Sequence, residues 1–117
     1  MIIRIRHIDG ISILFLRGSL MGEIDSIEVR NAVYTELQRL EKLLVFDLGG
    51  VARMNSSGLG VIISSMASVR NAGGTLVLAN INQRIGPLFQ ITNITRVVKE
   101  YETVERAVAA LKRRPAK

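Results

Sequence analysis

The residues best placed to do chemistry lie in one stretch of the 117-residue chain, Asp47-Leu48-Gly49-Gly50-Val51-Ala52-Arg53-Met54-Asn55-Ser56-Ser57-Gly58-Leu59-Gly60-Val61. It reads as a buried strand, a glycine-bearing turn and a helix start. Asn55 suits the N-cap, where its side-chain oxygen accepts the N–H of Ser57 or Gly58. Ser56 and Ser57 then fall in the first turn, beside free N–H groups and the positive end of the helix dipole. A hydroxyl placed there can carry a phosphoryl group, adding about −1.5 to −2 charge, while the fold stays intact. The same residues are also what a plain helix cap requires. Gly58 and Gly60 bear on that choice, because each costs a helix roughly 1 kcal/mol relative to Ala. Such a cost points to close approach, either by a neighbouring strand or by a partner.

Other chemistries find little support. His7 is the only histidine and sits in a strand before a turn, so neither a Ser-His-Asp triad nor a metal site can be assembled around it by any local pattern. There is no cysteine, which excludes disulfides and thiolate ligands. Asp47 falls near the end of its strand, where it can accept from neighbouring backbone N–H groups. Ser57-Gly58-Leu59-Gly60 begins like a dinucleotide fingerprint, but Ile63 occupies the third glycine position. No Gly-Lys-Ser/Thr element exists, so a P-loop is excluded. No enzymatic activity, cofactor or metal is expected.

Composition sets the frame around this stretch. Hydrophobic residues make up 48% of the chain and charged residues 22%, which favours a packed domain over disorder. The length suits one domain, placed at residues 1–112, followed by a basic tail at 113–117. The net charge of +6 gathers at that end, in Lys112, Arg113, Arg114 and Lys117. It forms no basic face interleaved with aromatics, so no nucleic-acid partner is expected. No apolar run approaches the roughly 20 residues a membrane helix needs, and Arg4 and Arg6 interrupt any leader-like segment. The expectation is a cytoplasmic domain without direct membrane insertion.

The elements that must position Ser56 can be read from periodicity. Residues around Ile3, Ile5 and His7, and again Ile11, Ile13 and Phe15, alternate as strands, joined by Asp9-Gly10 as a type I′ hairpin. Gly18 to Glu23 reads as a loop. A first helix is expected to start at Asp25, with Glu28 completing a capping box. Val29, Val33, Leu37 and Leu40 would form its buried face, with Glu36 pointing elsewhere. Leu43 to Leu48 is an apolar run suited to a strand buried on both faces, ended by Gly49-Gly50. A second helix fits Ser56 to Asn71, with Leu59, Ile62, Ile63, Met66 and Val69 at helical spacing and Gly73-Gly74 as its stop. Thr75 to Ala79 is another buried strand, Gln83 to Thr92 a short helix, Arg96 to Lys99 a final edge strand, and Thr103 the cap of a last helix. The order predicts one α/β domain: a mixed sheet of four to five strands, with an antiparallel N-terminal hairpin followed by parallel crossovers, and about four helices.

Val45-Phe46-Asp47-Leu48 followed by Met54-Asn55-Ser56-Ser57-Gly58-Leu59-Gly60-Val61 resembles the signature of the STAS domain, whose usual form is "DLSGV" and then "DSSGLGVL". Gly18 with its following loop, Arg70-Asn71-Ala72-Gly73-Gly74, and Leu88 to Ile94 match further family segments in order and spacing. The family includes bacterial anti-sigma-factor antagonists and cytoplasmic domains of sulphate transporters. The antagonist branch implies Ser56 as a phosphorylation site, with Asn55, Ser57, Gly58 and Leu59 shaping the helix start and Asp25 lying nearby. It also implies two partners: an anti-sigma factor with serine-kinase activity, bound when Ser56 is unphosphorylated, and a PP2C-type phosphatase. Three features depart from the family form: Asn55 stands where Asp is usual, Gly50 where Ser is common, and the segment from Ser19 to Asp25 is longer than the family's turn. A scaffold or transporter-associated STAS subunit without a phospho-switch is the alternative role, and a small-ligand or nucleotide module a third.

Overall fold

The computed structural model describes residues 1–113. Expected tail residues 114–117 lie outside the described residues. Two strands open the chain, β1 (Ile2–Ile8) and β2 (Ile11–Leu20). They pair antiparallel across Asp9 and Gly10, whose φ values of 51° and 79° are those a type I′ turn demands. Then follow α1 (Glu23–Gln38), β3 (Leu43–Met54), α2 (Ser56–Asn71), β4 (Thr75–Ala79), α3 (Gly86–Thr92), a 3₁₀ turn at Ile94–Arg96, β5 (Glu100–Tyr101) and α4 (Val104–Lys112). The five strands lie in the order β1-β2-β3-β4-β5, parallel after the first pair. The expected mixed α/β architecture is therefore observed.

The helices fall on two faces of the sheet. One core gathers Leu14, Phe46 and Leu48 of the sheet with Val29 and Val33 of α1, Leu59 and Ile62 of α2 and Phe89 of α3. The other puts Ile11, Ile13, Val45 and Val77 against Ala107 and Leu111 of α4. Alternation of side chains along β2 and β3 feeds both cores at once, which is why these strands read as continuous apolar runs. Among the described residues, no helix is long and apolar enough to cross a membrane.

Several element boundaries differ from expectation, each for a local reason. The segment after Gly18 is strand as far as Leu20, leaving only Met21 and Gly22 as the turn into α1. Asp25 lies within the first turn of α1 instead of at its cap: its carboxylate accepts the N–H groups of Met21 and Gly22, each at 3.4 Å. The capping contact is real, but it runs backwards from the third helical position. Gly49-Gly50 does not end β3, which continues to Met54. The register between β2 and β3 slips beside Phe15 and Arg17, so the glycines lie along an irregular strand edge instead of a turn. Helix α3 starts at Gly86, with Pro87 in its first turn.

The expected strand at Arg96 to Lys99 is instead part of a turn closed by the Val98 N–H on the Ile94 carbonyl at 3.0 Å. Ile94 and Val98 are both buried and four residues apart, a helical spacing. The short β5 follows it. Leu40 is 79% exposed and leaves the α1 stripe with a φ of 64°. Glu36 takes the opposite course and is buried. In α2, Ile63 is exposed, while the other expected apolar positions are buried or half-buried.

Candidate functional site

The long β2–β3 pair carries the site. These two strands remain in register contact as far as Leu20 and Met54, well past the last β3–β4 pair at Asp47 and Ala79. Helix α2 therefore begins on a ridge that projects above the remainder of the sheet. Asn82, which sequence reasoning did not single out, holds this ridge to the segment before α3. Its amide donates to the carbonyls of Leu48 at 3.2 Å and Val51 at 2.8 Å, while its oxygen accepts the N–H groups of Arg84 at 2.9 Å and Ile85 at 3.2 Å. An asparagine three residues beyond the apolar run of β4 is the signal that could have found it. Asp47 behaves as expected for a carboxylate near this end: it accepts the Gly49 N–H at 2.8 Å and the Asn80 amide at 3.2 Å.

Asn55 caps α2. Its side-chain oxygen accepts the Gly58 N–H at 3.1 Å, and its amide donates to the carbonyl of Met21 at 3.1 Å. One side chain thus satisfies a first-turn donor and ties α2 to the turn that begins α1. The tie uses both functions of the amide. An aspartate, usual at this place in the family, would preserve the first bond and could not donate the second.

Ser56 and Ser57 follow directly, and both are exposed. Gly58 is buried, and a Cβ there would overlap the carbonyl oxygen of Leu20 and lie 2.8 Å from Met54 Cγ. The close approach inferred from its presence is made by the neighbouring strand. A Cβ on Gly60 would meet nothing, so packing does not account for that glycine. Leu59 is buried in the core and anchors the helix start from beneath.

Asp25 sits at the opposite side of the Asn55–Met21 link, half-buried. The Met21 N–H holds its carboxyl below the usual carboxylate range, outweighing the opposing effect of burial. Beside it the surface is apolar: Met21, Ile24 and Ile27 are exposed, Ile24 to 76%. These residues were not expected to be functional. The place of Ile24 and Ile27 on α1, off the Val29–Val33 stripe, is the available sequence signal. Asn55, Ser56, Ser57 and Gly58 are thus brought together with the Met21–Asp25 segment, as expected, and Leu59 lies under them.

A family model of the STAS domain matches residues 3–107. The chain belongs to the STAS domain family. It is 33% identical over 87 residues to the anti-sigma-B factor antagonist of Listeria monocytogenes, covering 72% of this chain and 75% of that protein. A relative from Thermotoga neapolitana is 38% identical over 61 residues, which is 52% of this chain and 54% of the relative, so that match spans about half its length. Among solved structures, one from Thermotoga maritima superposes with a TM-score of 0.84 at 24% identity, covering 95% of each chain. The anti-sigma factor antagonist SpoIIAA in its unphosphorylated form gives 0.73 at 17% identity, covering 97% of this chain and all of that one; its phosphorylated form gives 0.71. At these identities the structures establish a shared STAS fold.

Proposed function

We propose that this STAS domain is a cytoplasmic, non-enzymatic anti-sigma factor antagonist, switched by phosphorylation of Ser56. Unphosphorylated, it binds an anti-sigma factor that is also a serine kinase; phosphorylated, it releases that partner, and a PP2C-type phosphatase restores it. The observation carrying this reading is the exposed Ser56 hydroxyl in the first turn of α2, held beside an apolar segment by the Asn55–Met21 bond.

The physical logic runs from that arrangement. Met21, Ile24 and Ile27 offer apolar area that a partner gains by covering. A phosphoryl group on Ser56 is tolerated by the helix start, where first-turn N–H groups and the dipole favour negative charge. It is not tolerated by a partner that must desolvate it against an apolar surface or meet it with acidic groups. Full reversal of a bound population from 99:1 to 1:99 takes about 5.5 kcal/mol, within reach of an uncompensated dianion at an interface. The identity to the Listeria antagonist and the existence of SpoIIAA in both phosphorylation states support the same reading.

Incubation with a kinase-type anti-sigma factor and ATP should place one phosphate on Ser56, located by peptide mass spectrometry. Phosphate on another residue, or none, would reject the switch. Asn55 favours a second reading, a STAS subunit of a scaffold or a lipid transporter that needs no phosphorylation, because it removes the charge usual beside the serine. Sedimentation as a very large particle, or co-purification with transporter subunits, would select that reading.

A further inference from the structure

The face of the sheet that carries α4 is covered only in part. Helix α4 packs on Ile11, Ile13, Val45 and Val77, towards the start of the parallel strands. Towards their far ends the same face is bare, and there β1, β2 and β3 form the floor of a hollow of about 410 Å³. Its volume lies in the range of small-molecule sites.

Two features distinguish the hollow from an ordinary uncovered surface. Arg4 and Arg17 line it together with Asp47, yet among the described residues none of the three forms an ion pair. Asp47 is held away by the Gly49 N–H and the Asn80 amide. Opposite charges therefore share one concavity without neutralising each other. The second feature is the floor. Gly50 lies opposite Arg17 across the irregular β2–β3 register, and a Cβ at Gly50 would come 3.1 Å from both the Leu16 carbonyl oxygen and Arg17 Cγ. Its absence lets the Arg17 stem lie across the strand. Between the charges stand apolar surfaces, the half-buried ring of Phe15 and the side chain of Ile2, which is 57% exposed.

We infer that this hollow binds a small zwitterion of the amino-acid type with an apolar side chain. Its carboxylate meets the guanidinium forks of Arg4 and Arg17, a geometry suited to planar anions. Its ammonium donates to Asp47, whose oxygens retain acceptor capacity beyond the two bonds they already accept. Its side chain covers Phe15 and Ile2. A simple anion would leave the Asp47 wall unmatched, and a polyphosphate would be repelled by it. This site is separate from Ser56, and the two assignments stand or fall independently.

Three matched ligands test it on the whole chain: L-leucine, 4-methylpentanoate, which lacks the amino group, and 3-methylbutylamine, which lacks the carboxylate. L-leucine should shift the amide NMR signals of Arg4, Arg17, Gly49 and Gly50 in a saturable way below about 10 mM, and each analogue should bind at least roughly 10-fold more weakly. Arg4→Gln together with Arg17→Gln should reduce L-leucine to the affinity of the amine, with Arg4→Gln alone in between, and Asp47→Asn to that of the acid. Asn at position 47 can still accept the Gly49 N–H, and Arg4 is exposed, so both single variants should unfold at temperatures close to that of the parent. Equal binding of L-leucine and 4-methylpentanoate, shifts scattered away from these residues, or no saturable shift would overturn the proposal.

Discussion

Ser56 and Ser57 stand in solvent where the strands finish, while near the other end of the sheet Glu36 is 1% exposed, taking the hydroxyl of Ser12 at 2.7 Å and His7 Nε2 at 2.6 Å. Both places carry polar groups on or beside helices, and they use them oppositely. Burial of Glu36 raises its pKa, but the hydrogen bonds from Ser12 and His7, with the nearby positive charge of His7 and Arg39, together outweigh that and leave it lowered. Its charge is therefore part of the fold. At Ser56 no buried group depends on the hydroxyl, so the proposed switch adds its charge where the core does not rely on the side chain. A switch belongs at the end where polar groups are spare.

The contrast can be broken first at Gly58. Gly58→Ala drives a methyl into the Leu20 carbonyl and against Met54, and should cost about 3 kcal/mol in urea unfolding. At the buried end, Glu36→Gln should cost about 2 kcal/mol through loss of charge-assisted bonds. The parent should lose stability as pH falls below about 4, because the lowered Glu36 and Asp25 carboxyls must then be protonated to the disadvantage of the folded state. In Glu36→Gln that acid-dependent loss should be smaller. A variant with an unchanged acid limb would show that Glu36 is not the group responsible.

Smaller effects sharpen the account of the site. Asn55→Ala should cost about 1 kcal/mol as the cap is lost. Asn55→Asp should cost less, since it retains the Gly58 bond and gives up only the donation to Met21. Gly60→Ala, two residues from Gly58 but facing open space, should stabilise by up to about 1 kcal/mol. Ser56→Ala should lie within about 0.5 kcal/mol of the parent, as expected of an exposed hydroxyl with no buried partner.

The parts of the fold legible in the sequence were those decided locally. Asp9-Gly10, the Asn55 cap, the Thr103 cap and the span Ser56–Asn71 rest on residues close in the chain, and each is observed as read. The two glycines after Leu48 read as the end of the strand, and β3 instead runs through them, because glycine serves strand irregularities as well as turns and only pairing with β2 decides between them. Glu36 was placed in solvent because a carboxylate usually is. Its position three residues beyond Val33 lies on the buried stripe, but the partners that make burial affordable, His7 and Ser12, are supplied by the opening hairpin. The candidate site was legible as a cluster from Asn55 to Leu59. The Asn55–Met21 bond and the apolar Met21–Ile27 segment were not, since they depend on how far β2 and β3 run.

In the proposed switch, charge on Ser56 governs partner affinity while the fold stays as it is. The most direct measurement is the affinity of a kinase-type anti-sigma factor for the unphosphorylated chain and for the chain phosphorylated at Ser56, with amide NMR spectra of both. Affinity should be lower by about 100-fold or more in the phosphorylated form, with spectral changes confined to the start of α2 and the Met21–Asp25 segment. Equal affinity, or weakening accompanied by changes spread through both cores, would contradict it.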